Sequence, residues 1–474
     1  MPERGIKMHG NTIFHVHGQQ ALPLHFNHIN RIMNFDELNL NTPLLNALSD
    51  LGYTNTTPIQ QKAFSVIMSG KDVCGIAQTG TGKTFAYLLP SLRLMKFSKK
   101  RDVQMLILVP TRELVVQVVE EVKKLTTYMT LQVDGVYGGT NINTQKTRVE
   151  NGLDILVATP GRLLDLALDG SLNMKGVKKL VIDEMDEMLN LGFRTQIKNI
   201  MDLLPEKRQN LLFSATITEE VEHLIKTYFN DPVKIEAAPT GTPLENINQT
   251  AFEVPNFYTK VNLLELLLNS DASMNKVLIF AGTKQLADQL FEQLEPAFPE
   301  KVGVIHSNKA QNYRFNAVNQ FKDGSYRFLI ATDIVARGID VAEVSHVINF
   351  DTPVIPETYI HRIGRTGRAD QKGISITFIT PRESKQQAAI EELMQYKIPI
   401  VPLPEGLVIS DVLTEEEKPK IYMKTDHVKI PKKEYNEKDF HKKSAKKLKI
   451  NVKVSRKDQM KKKYGKPIKR KAKK

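Results

Sequence analysis

Short runs of apolar residues, mostly Val, Ile and Leu, recur along residues 73–216 and again along residues 276–380. Longer mixed segments of helical length separate these runs. Uninterrupted apolar runs are typical of strands covered on both faces, and their alternation with helices indicates parallel α/β sheets. The predicted strands are residues 73–77, 105–110, 154–160, 179–184 and 210–216 in the first stretch, and 276–281, 302–306, 327–333, 346–351 and 374–380 in the second.

The segment "EAAPTGTPLEN" (236–246), with its prolines, glycine and small polar residues, indicates a linker between the two stretches. At 474 residues the chain is also too long for one compact core. We therefore predict two doubly wound α/β domains joined by a hinge, with a cleft between them. The expected divisions are a disordered leader at 1–34, domains at 35–238 and 246–405, a linker at 239–245, and a tail at 406–474.

Charge is distributed unevenly along the chain. Residues 418–474 contain 24 Lys and Arg against 5 Asp and Glu, a net charge of +19, whereas the whole chain carries +13 and residues 1–417 therefore carry −6. Dense charge of one sign with few large apolar residues is typical of disorder and attracts polyanions. We expect this basic tail to bind nucleic acid; a tail that only improves solubility is the alternative.

Composition also excludes other classes of protein. No apolar run approaches the roughly 20 residues of a membrane helix, and no secretory signal pattern begins the chain. We expect a cytoplasmic protein without membrane contact. The single cysteine, Cys74, excludes an intrachain disulfide, and its apolar surroundings predict a buried core residue.

The glycine-rich segment "AQTGTGKT" (77–84) lies where a predicted strand turns into a helix. Backbone N–H groups in such a turn bind phosphate oxygens, the lysine reaches the β- and γ-phosphates, and the Ser or Thr hydroxyl ligates Mg²⁺. Lys83 and Thr84 fit these roles, although Ala77 stands where the general pattern has glycine. A nucleotide site is predicted; an accidental glycine-rich turn is the alternative.

The predicted strand 179–184 ends in two adjacent carboxylates, Asp183 and Glu184. Burying unpaired charge is costly, so this placement indicates a cation or a wet cleft. In P-loop folds an acid at the end of another strand holds Mg²⁺, and a neighbouring acid can position the attacking water. We assign Asp183 to the metal, through its hydration shell, and Glu184 to activation of the water.

Nine motifs follow one another in one order: "GYTNTTPIQ" (52–60), "AQTGTGKT" (77–84), "PTREL" (110–114), "GG" (138–139), "TPGR" (159–162), "DEMD" (183–186), "SAT" (214–216), "ARGID" (336–340) and "HRIGRTGR" (361–368). From about Phe35 to about residue 400 the chain resembles the DEAD-box RNA helicases of superfamily 2, and most closely the bacterial RhlE-type branch. The resemblance implies two tandem RecA-like P-loop domains, ATP and Mg²⁺ as cofactors, and RNA as the partner.

The resemblance implies that Phe35 stacks on the adenine and Gln60 hydrogen-bonds it; a plain core aromatic is the alternative for Phe35. It places arginine fingers of the second domain at the γ-phosphate; a surface salt bridge is the alternative for either one. The expected nucleotide contacts are Phe35, Tyr53, Gln60, Ala77, Gln78, Thr79, Gly80, Thr81, Gly82, Lys83, Thr84 and Asp340. The expected catalytic residues are Glu184, Asp183, Lys83, Arg365, Arg368 and His361, with Thr84 and Asp183 at the metal and Ser214, Thr216 and Asp186 coupling ATP to RNA.

An RNA surface gripping sugar and phosphate, with little sequence preference, is also implied. Its expected residues are Pro110, Thr111, Arg112, Gly138, Gly139, Thr159, Pro160, Gly161, Arg162, Gln311, Arg314, Thr332 and Asp333. Three departures from the family pattern stand out. Met185 replaces the alanine that names the family, Thr56 replaces a frequent proline and is expected to loosen its turn, and "HSNKAQNYR" (306–314) lacks the usual glycine–aspartate.

Three functions remain open at this point. The first is an RNA-dependent ATPase that separates short duplexes or remodels RNA–protein complexes. The second is an ATP-gated RNA clamp, and the third is a P-loop ATPase acting on DNA. We expect a monomer, with ribosomal or RNA-decay complexes as candidate partners.

Removing residues 418–474 should weaken RNA binding and make the remaining affinity less dependent on salt. The reason is that each phosphate neutralised by Lys or Arg contributes about −0.7 to the slope of log K against log salt for single strands. Fluorescence anisotropy of a labelled single strand at several KCl concentrations measures both quantities. Equal slopes for the full and shortened chains would show that the tail serves solubility alone.

Overall fold

The computed structural model describes residues 33–77, 80–96, 98, 102–236, 246–336, 344–367, 372–418 and 465. Most of the predicted leader, the whole predicted linker and nearly all of the basic tail lie outside these residues, so the disorder predicted for leader and tail stays a prediction. Among the described residues, no helix combines the length and apolar character needed to cross a membrane.

The first domain is built on a seven-stranded sheet with the order β3-β4-β2-β5-β6-β1-β7, in which every strand pair is parallel. Its strands are β1 (Val73–Ile76), β2 (Met105–Leu108), β3 (Val133–Val136), β4 (Ile155–Ala158), β5 (Lys179–Asp183), β6 (Gln209–Ser214) and β7 (Val233–Glu236). Its helices are α1 (Thr42–Asp50), α2 (Pro58–Met68), α3 (Lys83–Leu94), α4 (Arg112–Leu125), α5 (Ile142–Glu150), α6 (Pro160–Leu168), α7 (Met185–Asn190), α8 (Arg194–Leu203) and α9 (Glu219–Tyr228), preceded by a 3₁₀ turn at Phe35–Glu37.

The second domain has a six-stranded parallel sheet with the order β10-β11-β9-β12-β13-β8. Its strands are β8 (Ile247–Glu253), β9 (Val277–Phe280), β10 (Val302–Ile305), β11 (Phe328–Ala331), β12 (His346–Asn349) and β13 (Gly373–Ile379). Its helices are α10 (Phe257–Ser270), α11 (Lys284–Leu294), α12 (Gln311–Lys322), α13 (Asp333–Ala336), α14 (Pro356–Ile363) and α15 (Ser384–Met394). The predicted fold class, two tandem α/β domains with parallel sheets, is confirmed.

Each sheet separates apolar cores on its two faces. In β2, Met105 and Ile107 pack into one core cluster, while Leu106 and Leu108 pack into the other. Successive side chains of a strand point to opposite faces, so a strand covered on both sides must be apolar at every position. Cys74 belongs to one of these clusters, as predicted, and burial raises the pKa of its thiol to about 11.

Three strands, β3, β7 and β8, escaped the sequence analysis. Each lies at the edge of its sheet, and each mixes polar with apolar residues, as in "VKIE" and "INQTAFE". Each of the three is covered incompletely, so its sequence lacks the continuous apolar run that identified the other strands. The fourth edge strand, β10, is buried throughout and was predicted.

Residues 406–417, placed in the tail by the sequence analysis, contact the second domain, and the compact unit extends to Glu417. Asn262 donates its side-chain amide to the carbonyl of Val408 at 2.7 Å, and Arg382 donates to the carbonyl of Glu416 at 2.8 Å. The segment has no helical or strand pattern of its own. Side chains of the second domain donate hydrogen bonds to its backbone instead.

Gly75→Ala should destabilise the first domain. A Cβ at Gly75 would come within 2.6 Å of the Phe213 ring, and overpacking a filled core costs about 1–3 kcal/mol. Thermal unfolding of the variant should begin several degrees lower. Gly161→Ala is the matched control, because a Cβ there meets no atom within 4 Å and alanine favours the helix; an equal shift in both variants would contradict the explanation.

Candidate functional site

The glycine-rich turn joins β1 to helix α3 as predicted. Gly80 and Gly82 adopt positive φ angles of 82° and 87°, which glycine tolerates best. Gly82 is the N-cap residue of α3, so Lys83 and Thr84 form the first turn of the helix. Ala77 is buried at the end of β1, while Gln78 and Thr79 lie outside the described residues.

Gln60 connects the predicted adenine end of the site to this turn. Its side-chain amide donates to the Gly82 carbonyl at 3.1 Å, and its side-chain oxygen accepts from the Thr57 backbone N–H at 2.9 Å. A Cβ on Gly82 would collide with the Gln60 side chain. Since one amide hydrogen and one oxygen lone pair remain, Gln60 can still bond an adenine.

Aromatic residues also line the site. A cavity of about 360 Å³ is lined by the glycine-rich turn together with Phe35, Tyr53 and Phe85, and Phe85 packs edge-on against Tyr53 at 5.1 Å. Phe35 is buried, so it serves the core as well as the cavity wall. Thr56 is tied to the chain before the first helix, since its hydroxyl and its backbone N–H both donate to the Met33 carbonyl, at 2.7 and 2.8 Å. The slight loosening expected relative to proline stays a prediction.

Asp183 ends strand β5 and is fully enclosed. The Tyr87 hydroxyl donates to its Oδ2 at 3.1 Å, whereas Oδ1 has no hydrogen-bond partner among the described residues. Burial raises the pKa of Asp183, and the nearby Lys83 opposes this rise.

Glu184 occupies an unusual backbone position. With φ 55° and ψ 53°, it lies in the left-handed region and caps helix α7. Burial raises its pKa to about 7, although the charges of Lys83 and Arg365 lower it. A carboxylate titrating near neutral pH is matched to general-base work at that pH.

Asp186 links β6 to the second domain. Thr216 donates to its Oδ2 from both the backbone N–H and the hydroxyl, at 3.0 and 2.9 Å, and the Ser214 hydroxyl accepts from the Asp186 N–H at 3.3 Å. His361 of α14 lies 3.7 Å from the same oxygen. Burial alone would raise the pKa of Asp186, but the His361 charge, Lys83 and these hydrogen bonds together lower it.

The donor set fits a magnesium nucleotide. Among the described residues, the Lys83 ammonium, Asp183 Oδ1 and Glu184 Oε2 are buried without hydrogen-bond partners, and all three residues line the same cavity as Thr84. Mg²⁺ prefers oxygen ligands and keeps several waters, and phosphates take up a lysine ammonium. An ion with its phosphates would supply the partners that these buried groups lack.

The second domain reaches the same cavity. Arg365 follows helix α14, is buried, and lines the cavity together with Lys83 and Glu184. Asp340 and Arg368 lie outside the described residues, so their predicted roles stay predictions.

A second cavity, of about 380 Å³, lies between residues of both domains. Eight of the predicted RNA residues line it: Pro110, Thr111, Arg112, Gly138, Thr159, Gly161, Arg162 and Arg314. Thr111 and Thr159 are the N-cap residues of α4 and α6, whose N-termini favour phosphate. Within the described residues, Arg162 Nη1 is buried without a hydrogen-bond acceptor, which suits an anionic ligand, while Asp165 lies 3.9 Å from Arg162 Nε.

Gln311 and Arg314 contact the first domain in this structure. The Arg314 Nη1 lies 2.7 Å from Glu113 Oε1, and both side chains are buried. Arg112 donates to Gln311 Oε1 at 3.2 Å, and Gln311 donates to Glu113 at 3.3 Å. These contacts hold the two domains together beside the second cavity.

Three further residues singled out in the sequence, Thr332, Asp333 and Met185, do not line either of these two cavities. Thr332 is buried after β11, and the Asp333 carboxylate accepts two hydrogen bonds from Arg362, at 2.6 and 2.9 Å. Met185 is 1% exposed and packs into a core cluster with Met188. The unusual residue at the family's alanine position therefore fills the interior.

Sequence reasoning missed Tyr87, Glu113, Leu191, Phe193, Ser307 and Ile334. Tyr87 contacts Asp183, Glu113 contacts Arg314, and the others line the second cavity. Their identities look like core or surface residues in the sequence, because only the fold brings them to the sites. Glu113 lies within the motif "PTREL", and its charge was the sequence feature that could have indicated an ion pair.

Comparisons with known proteins agree with this geometry. A family model for the DEAD/DEAH box helicase matches residues 57–224, and one for the helicase conserved C-terminal domain matches residues 259–370. The chain is 40% identical over 364 residues to the DEAD-box ATP-dependent RNA helicase CshA of Bacillus cereus, covering 77% of this chain and 69% of that protein. The chain belongs to the DEAD-box RNA helicase family.

Other DEAD-box proteins are similar over most of the chain. The ATP-dependent RNA helicase DbpA of Bacillus subtilis is 38% identical over 372 residues, covering 78% of this chain and 77% of DbpA. The structure of S. cerevisiae Dbp5 bound to RNA and ADP BeF3 is 28% identical with a TM-score of 0.72, covering 78% of this chain and 96% of Dbp5. Mss116p bound to ssRNA and AMP-PNP is 28% identical with a TM-score of 0.73, covering 80% of this chain and 81% of that chain. The predicted RecA-like architecture is confirmed.

Gly139→Ala should weaken RNA binding by this DEAD-box protein. Gly139 has φ +78°, and a Cβ there would collide with the Arg112 guanidinium, so the substitution must displace a residue of the second cavity. We expect RNA affinity to fall about tenfold, as for one lost charge-assisted hydrogen bond. Anisotropy titration with labelled RNA and an ATP analogue measures it.

Gly170→Ala is the control, because Gly170 also has a positive φ, +83°, a Cβ there meets nothing within 4 Å, and it does not line the second cavity. If the two variants bound RNA equally well, the Gly139–Arg112 contact would have no part in RNA binding.

Proposed function

We propose that this protein is an RNA-dependent ATPase that hydrolyses ATP when RNA draws its two domains together, and that it thereby separates short RNA duplexes or remodels RNA–protein complexes. One observation carries the proposal. Arg365 of the second domain lines the same cavity as Lys83 and Glu184 of the first.

At the ATP site each domain supplies part of the machinery. We assign the phosphates to the glycine-rich turn and Lys83, the attacking water to Glu184, and the charge developing on the γ-phosphate to Arg365. Mg²⁺, when bound beside Thr84 and Asp183, supplies further positive charge to the phosphates. Arginine fingers raise phosphoryl-transfer rates by roughly 10³–10⁵, so hydrolysis should depend on the position of the second domain.

RNA affects the rate because it contacts both domains. A ligand shifts a conformational equilibrium only through its higher affinity for one state. The second cavity takes residues from both domains, so an RNA strand lying there would favour the arrangement that places Arg365 at the phosphates. Asp186 adds a route between the sites, because it bonds Thr216 and faces His361.

The helix N-termini of the second cavity suit phosphates, as does Arg162 Nη1, which has no hydrogen-bond acceptor among the described residues. Such contacts position the RNA backbone and do not read base edges. We therefore propose little sequence preference, with 2′-hydroxyl contacts favouring RNA over DNA. The RNA and ATP analogues bound by Dbp5 and Mss116p support this choice of ligands.

The branch of the family, the location, the oligomeric state and the partner complexes are also proposals. The basic tail supports the RhlE-type branch, while the relatives compared above carry the names CshA and DbpA. A cytoplasmic monomer that joins ribosomal or RNA-decay complexes is consistent with bacterial helicase relatives.

Glu184→Gln should retain ATP and RNA binding and lose turnover. The amide keeps the size of the side chain but cannot accept the proton of the attacking water. We expect RNA-stimulated phosphate release to fall by at least 10²-fold, the usual scale of general-base catalysis, while fluorescent ATP still binds. Hydrolysis at the parental rate would show that another group is the base.

Matched RNA and DNA strands, each single-stranded or as a short duplex, separate the alternative functions. Stimulation by RNA alone with release of the duplex supports the proposal. Equal stimulation by DNA contradicts the choice of RNA, and stable binding of RNA with an ATP analogue but no strand release on ATP hydrolysis indicates a clamp.

A further inference from the structure

Tyr87 has no role in the function described so far, yet its hydroxyl touches the metal side of the ATP site. It lies on α3, one turn after Lys83, so both side chains share a face of the helix. Its side chain is 0% exposed, and its hydroxyl donates to Asp183 Oδ2 across a sequence separation of 96 residues. Burial raises the pKa of this hydroxyl, and the Thr84 side chain lies near enough to oppose that rise.

We propose that Tyr87 is a positioning residue for magnesium, because its hydroxyl fixes the orientation of Asp183, one of the two residues assigned to the ion. The proposal rests on the proposed ATPase function.

The carboxylate of Asp183 has two oxygens with different surroundings. Oδ2 is held by Tyr87, and Oδ1 has no donor in the described part of the chain. Because the phenol holds one oxygen, rotation of the carboxylate is restricted and Oδ1 is kept free for the water shell of the ion. Groups that hydrogen-bond metal-binding side chains in this way orient them and raise metal affinity.

The ring of Tyr87 has a separate, structural part. It packs in the core against Phe213, with ring centroids 5.4 Å apart. Phenylalanine would fill the same volume, so Tyr87→Phe removes the hydroxyl and leaves the packing. Loss of the hydroxyl also leaves the buried Asp183 Oδ2 without its donor, so some stability should be lost, as for any buried hydrogen bond. The Mg²⁺ dependence is the readout specific to the ion.

The test measures binding of mant-ADP to the full chain while Mg²⁺ is titrated. For Tyr87→Phe we expect the Mg²⁺ concentration for half-maximal binding to rise about tenfold, with unchanged affinity in EDTA. The unfolding temperature should fall by only a few degrees, because one buried hydrogen bond is lost. In an Asp183→Ala background the same substitution should have no further effect on the Mg²⁺ dependence, because the side chain that accepts from Tyr87 is gone.

Tyr359→Phe is the matched control. Tyr359 is also fully buried, and its hydroxyl donates to Gln249 at 3.0 Å in the second domain. It should leave the Mg²⁺ dependence unchanged. A Tyr87→Phe protein with the parental Mg²⁺ dependence, or a change equal to that of Tyr359→Phe, overturns the proposal for Tyr87. Absence of Mg²⁺-dependent binding in the parental chain would instead overturn the proposed function.

Discussion

The rest of this structure depends on unlike charges buried together between two domains. Lys83, Asp183 and Glu184 come from the first domain and Arg365 from the second, and all line one cavity. Removing such groups from water is costly unless they find partners. Within the described chain, Lys83 and one oxygen of each acid have none, so a nucleotide with its cation completes the balance of charge.

The second cavity, proposed to hold RNA, also contains buried charged groups, but their partners differ. Arg314 and Glu113 form a buried ion pair between the domains, while Arg162 Nη1 is buried without an acceptor within the described residues and Asp165 lies 3.9 Å from Arg162 Nε. Arg314 thus stabilises the arrangement of domains, and Arg162 keeps one nitrogen for an anionic ligand. Arg162 and Arg314 are both basic residues of the predicted RNA surface, and only their surroundings in the fold distinguish their roles.

The central strands and the glycine-rich turn at 77–84 could be predicted from the sequence, because continuous apolar runs and glycine-rich turns are local signals. The edge strands β3, β7 and β8 could not, since partial covering leaves no continuous apolar run. Tyr87 was missed because its ring is an ordinary core residue, and only the pairing of strands brings Asp183 to its hydroxyl. The hydrogen bond of Thr56 to Met33 could not be predicted, because the two residues are distant in sequence.

Glu184 is held in a left-handed backbone conformation at φ 55°. A residue with a side chain pays energy to remain there, on the order of 1 kcal/mol, whereas glycine does not. If Glu184 is the base proposed above, glycine at this position would relieve the backbone strain and remove the carboxylate. Stability and turnover would then be opposed at this one residue.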